Sequence, residues 1–268
     1  MLSLFKKKLA IPIFHMASLA RSGETMVLSL LNQHPHIRVV HNLYDPEPAY
    51  AEKLFRYLKT SGDSSISSSN KLVRPYNVDE KSIFVLKQGV WQPNETYRGF
   101  VLLRNPISIY ASLKFYDSST DWEANWYHNT NRMKRWLGDM DQAVLHQFLG
   151  LSDPIEQFVL FYNYRVATLL DQGLPVYRYE DIVDNPQASL DSIFKVLQLD
   201  PTLWKPADAT REKVVGHGKN EIGASVNTKS LLKYKQRVTR EEFACIESKT
   251  GEVCTAAGYQ LTNYEIVY

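Results

Sequence analysis

The chain is poor in cysteine. Only Cys245 and Cys254 occur among 268 residues, too few for a disulfide framework and without a metal-ligand spacing. A reduced, cytoplasmic protein is therefore expected. Charge of one sign is also lacking. The formal net charge is only +2, which argues against nucleic-acid binding through bulk electrostatics, so any anion must be met by a local group of cations. No apolar run is long enough to span a bilayer, and no membrane association is expected. "MLSLFKKKLAIPIFHMASLA" has the basic start, apolar stretch and small-residue end of a secretory leader. Pro12 and His15 interrupt that run, however, and cleavage after Ala20 would remove an apolar strand leading into a turn, so the segment reads as part of the fold. No internal repeat is visible.

What remains alternates. Strand-like runs at 11–17, 37–41, 82–87, 100–104 and 174–179 are separated by helical patterns at 25–33, 46–60, 105–116, 154–172 and 185–199, with another at 239–257. The 82–87 and 100–104 runs lack apolar–polar alternation, as expected of strands covered on both faces. Strands joined by helical crossovers give a parallel sheet, so the fold class is α/β, one domain over residues 1–268. The stretch "SGDSSISSSN" (61–70) cannot bury enough to fold alone and reads as a disordered insertion or a mobile flap. Residues 115–150 are rich in Tyr, Trp and carboxylates.

In an open parallel sheet, ligands bind at the carboxyl ends of the strands. Three features fall there. The first is Arg21-Ser22-Gly23-Glu24-Thr25, between the first strand and the first helix. Gly23 permits a tight turn, the helix start offers unpaired N–H groups, Arg21 offers a bidentate clamp, and Ser22 and Thr25 offer hydroxyls. The Gly-Lys-Ser/Thr ending of an ATP-binding P-loop is missing, which counts against a P-loop kinase. Glu24 would repel an anion, so it is expected to point away from the turn. The second feature is Arg104 with Ser112. Asn105 reads as a helix cap and Pro106 as the first helical residue. Ser112 then lies nearly two turns on, over the helix start and facing Arg104. The alternative is an Arg104 paired with a carboxylate and a Ser112 on plain helix surface. The third is Lys87, at the end of its strand, as an electrophile beside the cleft or as a surface lysine. "GHGKNEIG" (216–223) reads as a flexible loop able to bring Lys219 near phosphate.

These motifs, in this order, resemble the sulfotransferases that use 3′-phosphoadenosine 5′-phosphosulfate (PAPS). In that family a turn like Arg-Ser-Gly-Thr-Thr binds the 5′-phosphosulfate, and a later Arg-Asp-Pro…Tyr-Ala-Ser binds the 3′-phosphate. Here these are Arg21 to Thr25, and Arg104-Asn105-Pro106 with Tyr110-Ala111-Ser112. "HPHIRVVHN" (34–42) and "VYRYEDIVDNPQASLDSIFKVLQL" (176–199) are similar to two further segments, and the likeness extends over roughly residues 11–260. Glu24 and Asn105 depart from the pattern, standing where the family usually has Thr and Asp.

The resemblance implies a P-loop-NTPase-like sheet, PAPS as donor, adenosine 3′,5′-bisphosphate as product and no metal. It implies His41 as general base, a residue whose ordinary pKa near 6.5 suits neutral pH, with His36 a weaker candidate and Glu47 the carboxylate alternative. The alternative for His41 is a plain strand terminus. It implies that Lys87 reaches the transferring group and that Lys233 approaches the cofactor. Arg178, Tyr179 and Glu180 are expected to be structural. The acceptor is expected to be a small molecule carrying a hydroxyl or amine, held by 44–80 and 115–150, with the protein a monomer or a homodimer. The remaining alternative is a homologue that binds the nucleotide without catalysis.

Overall fold

A computed structural model describes residues 9–40, 48–88, 98–114, 137, 140–205, 214–215, 221–222 and 231–268. Five parallel strands form the central sheet in the order β2-β4-β1-β5-β6. They are β1 (Ala10–Ser18), β2 (Ile37–Val40), β4 (Ile83–Gln88), β5 (Gly99–Leu103) and β6 (Val176–Arg178). β1 is central because it is apolar on both faces: six consecutive residues from Ile13 to Ser18 include only one that is not an apolar side chain besides the terminal serine, His15, and all are buried. β5 is wholly buried, as its unbroken GFVLL run requires. It starts at Gly99, where φ is 141° and a Cβ would lie 1.9 Å from the His15 carbonyl oxygen, so only glycine lets the two strands meet there.

Helices cover both faces. On one face α3 (Pro106–Lys114), α5 (Pro154–Leu170) and α8 (Arg240–Ala256) pack Ile107, Phe158, Tyr162, Phe243 and Ile246 around β5. On the other, α1 (Glu24–Leu31), α6 (Tyr179–Asp184) and α7 (Pro186–Val196) pack Val27, Leu28, Ile182 and Phe194. A smaller cluster joins α2 (Pro48–Ser61) to Ile11, Ile13 and Phe84. The short helix α4 (Gln142–Gly150) packs through Phe148. No described helix is long and apolar enough to cross a membrane.

The serine-rich stretch differs from expectation. Ser65–Ser67 forms β3, antiparallel to the leading half of β1, with Ala10 opposite Ser67 and Pro12 opposite Ser65. Ile66 is the reason: it is 3 % exposed and packs with Ile11 and Ile13. Ser68 exchanges hydrogen bonds with the Leu9 backbone, and Asn70 caps the 3-10 segment Lys71–Tyr76. One buried isoleucine and a neighbouring strand suffice to order a stretch whose composition reads as loop. Of residues 216–223 only Glu221–Ile222 is described; it forms β8, antiparallel to β7 (Val214–Val215). A C-terminal hairpin, β9 (Gln260–Thr262) and β10 (Glu265–Val267), closes the chain's described part.

Candidate functional site

The carboxyl ends of β1, β4 and β5 bring Ser18, Lys87 and Arg104 to one edge of the sheet. The turn after β1 is built from two left-handed residues, Arg21 at φ 74° and Gly23 at φ 90°. A Cβ on Gly23 would lie 2.2 Å from the Tyr179 ring. The position therefore needs glycine twice over, for its backbone angle and for the ring beside it. α1 begins at once, with no side-chain cap. That leaves first-turn N–H groups and the positive end of the helix dipole at the turn. Ser22 is fully buried, and its Oγ has no hydrogen-bond partner among the described residues. Thr25 lies half-buried in the first turn of α1.

Arg104 is fixed from three sides. Tyr162 Oη donates to its carbonyl (3.2 Å), its Nη1 donates to the Arg21 carbonyl (3.1 Å), and its guanidinium stacks 4.4 Å from the Tyr179 ring centroid. Its Nε is buried without a partner among the described residues. Arg21 Nε in turn donates to Ser112 Oγ (2.9 Å). The two motifs, 91 residues apart in sequence, thus form one continuous patch. Ser112 does face this region, as its helical spacing from Asn105 predicts, and Arg104 pairs with no carboxylate among the described residues. Asn105 caps α3 by accepting from Ser108 N (2.7 Å).

Glu24 corrects an expectation. It does not point away: it is 5 % exposed, its Oε1 accepts from Ser18 Oγ (3.3 Å) and lies 3.3 Å from Lys87 Nζ. A buried carboxylate needs a partner, and Lys87, arriving from β4, supplies it. Lys87 is accordingly no free surface lysine. Lys233 is exposed, on the single 3-10 turn Lys233–Gln236 that packs on α3 through Tyr234. His36 precedes β2, at the amino end of the sheet, with Nδ1 3.6 Å from Asp79, so it does not reach this edge. Val40, which ends β2, pairs with Leu86. His41, Glu47 and Lys219 lie outside the described residues, as do most of 115–150.

Tyr179 is the site residue that sequence reasoning missed. It serves as a wall for Gly23 and a platform for Arg104, roles visible only once β6 and α6 are placed. Glu180, buried at 1 %, accepts from Asn105 Nδ2 (2.5 Å), Asn105 N (3.2 Å) and Tyr259 Oη (2.8 Å). Arg178 pairs with Asp181 (2.7 Å) and donates to the Gly258 carbonyl (2.5 Å). These two residues are structural, as expected.

No protein-family model matches the chain, and neither does any curated protein sequence. Solved structures do match. The sulfotransferase domain from the curacin biosynthetic pathway is 16% identical, with TM-score 0.54, covering 95% of this chain and 100% of that domain. The sulfotransferase domain from the Synechococcus PCC 7002 olefin synthase is 15% identical, with TM-score 0.55, covering 96% and 98%. The chain has the sulfotransferase fold.

Within that fold the patch at the sheet edge suits an anion. It presents two arginines, a lysine, a buried hydroxyl and a buried guanidinium N–H without partners among the described residues, and an uncapped helix start. A cavity of about 310 Å³ beside Asn105 does not suit one: its described walls include Glu180, Glu265 and Tyr268 but no cation. Among the described residues no group of three or more His, Cys, Asp or Glu could hold a metal ion.

Proposed function

We propose that the protein is a sulfotransferase that moves the sulfuryl group of PAPS to a hydroxyl or amine of a small-molecule acceptor. The observation that carries the reading is the continuous Arg104–Arg21–Ser112 patch around an uncapped, glycine-hinged helix start, within a sulfotransferase fold. Arg21, Ser22, Gly23 and Thr25 would hold the phosphosulfate, and Arg104 and Ser112 the 3′-phosphate. Sulfuryl transfer is an in-line displacement needing charge stabilisation at the transferring oxygens and the departing phosphate. Arg21 and Lys87 supply that charge from the protein, and His41 takes the acceptor's proton. Lys219 and Lys233 would close over the nucleotide. The two structural neighbours come from a biosynthetic pathway and an olefin synthase, which supports a natural-product acceptor.

The test is thermal melting with adenosine 3′,5′-bisphosphate, PAPS and Mg-ATP side by side. Stabilisation by the first two is expected, and stabilisation by Mg-ATP alone rules the reading out. Labelled PAPS with a panel of hydroxyl and amine acceptors then identifies the acceptor class. His41→Ala should abolish transfer while leaving nucleotide binding intact; near-full turnover would remove His41 from the mechanism.

A further inference from the structure

We propose that Glu24 sets the charge selectivity of the anion site, favouring a donor whose group at the turn is spread over two singly charged centres over a product that ends in a doubly charged phosphate. The inference rests on the sulfotransferase reading. It begins with position: Glu24 is the first residue of α1, directly after Gly23, and it is buried rather than turned to solvent. Its Oε1 meets both the Lys87 ammonium and the Ser18 hydroxyl, so the carboxylate is anchored from two strands. A resemblance to a Thr-bearing turn would put a neutral hydroxyl here. The chain instead installs a charge that offsets Lys87.

The consequence follows from the charges of the two ligands. In PAPS the 5′-phosphosulfate carries one negative charge on phosphorus and one on sulfur. After transfer the 5′-phosphate stands alone as a monoester and carries ≈ −1.5 to −2 at neutral pH. A fixed carboxylate beside the turn repels that concentrated charge more than the dispersed one. Binding that distinguishes donor from product lowers product inhibition and speeds product departure. Glu24 also holds Lys87 at the sheet edge, ready to face the ligand, and so acts as a positioning residue for it.

The experiment is calorimetric titration of wild type, Glu24→Gln, Glu24→Asp and Lys87→Met with PAPS and with adenosine 3′,5′-bisphosphate, with melting temperature as a control for folding. Glu24→Gln is expected to tighten the bisphosphate by about tenfold and PAPS by much less. Glu24→Asp should restore most of the wild-type ratio, and Lys87→Met should weaken both ligands. A purely structural role would change both affinities in parallel. Equal changes, or none, in Glu24→Gln overturn the inference while leaving the sulfotransferase reading in place. If wild type binds neither ligand, the sulfotransferase reading falls and this inference with it. Should Glu24→Gln melt too low to titrate, Glu24→Thr provides the same neutral comparison.

Discussion

The Asn105 side-chain amide donates to Glu180 Oε1 across 2.5 Å, while its carbonyl oxygen caps α3. Asn105 therefore uses its donor and acceptor ends in opposite directions. An aspartate can keep the cap but cannot donate to Glu180 unless protonated.

Asn105→Asp should consequently destabilise the protein by about 2 kcal/mol or more at neutral pH. Two apposed buried carboxylates share a proton, which raises the folded-state pKa of the pair. The variant's stability is then closest to wild type below the ordinary carboxylate range and is lost as pH rises. Urea denaturation of both proteins at pH 4 and pH 7 checks this. Equal midpoints at pH 7 would show that the amide donation is not needed.

Gly23→Ala meets two obstacles, the left-handed backbone and the Tyr179 ring. A loss of about 1–3 kcal/mol is expected, together with loss of stabilisation by adenosine 3′,5′-bisphosphate. Adding Tyr179→Ala relieves the collision but not the backbone strain. The losses of melting temperature from the two changes should be less than additive in the double variant, which regains none of the ligand response.

Arg104→Lys is not conservative here. A lysine cannot reproduce the planar stack on Tyr179 together with the bond to the Arg21 carbonyl. Bisphosphate affinity should fall about tenfold, equivalent to roughly 1.4 kcal/mol, with little change in melting temperature. Unchanged affinity in a calorimetric titration would remove Arg104 from the site.

His34 gives the fold a pH dependence away from the site. Burial holds its pKa below the ordinary 6.5, opposed by its bond to the Asp200 carbonyl and assisted by neighbouring His36. Its Nδ1 accepts from His36 N and its Nε2 lies 3.0 Å from the Asp200 oxygen, which defines a neutral ring with the proton on Nε2. Below pH 6.5 the unfolded chain binds the proton more readily than the folded one, so stability falls as pH drops from about 7 towards 5. His34→Gln should flatten that slope in denaturation curves; an unchanged slope would assign it to other groups.

The motifs around the turn were legible because each is local: a strand, a glycine, a helix start, an Asn-Pro cap. Their meeting was less so. Spacing shows that Ser112 faces Arg104, but not that Arg21 reaches it from another strand. Glu24 departs from its expected orientation because its partner, Lys87, belongs to a strand far along the chain, and a carboxylate considered alone beside an anion site has reason to face solvent. Ser65–Ser67 was misread for the same reason: its hydroxyl-rich composition carries no trace of the β1 edge it pairs with. Tyr179 looked structural because its two contacts, Gly23 and Arg104, come from different elements.

Tyr259 holds Glu180 from the far end of the chain, Glu180 holds Asn105, and Asn105 starts the helix that carries Ser112. The hydroxyl that secures Glu180 is supplied from just beyond α8. Removing that hydroxyl would therefore be felt at the anion patch, through the helix that carries Ser112, although the residue removed lies on another element.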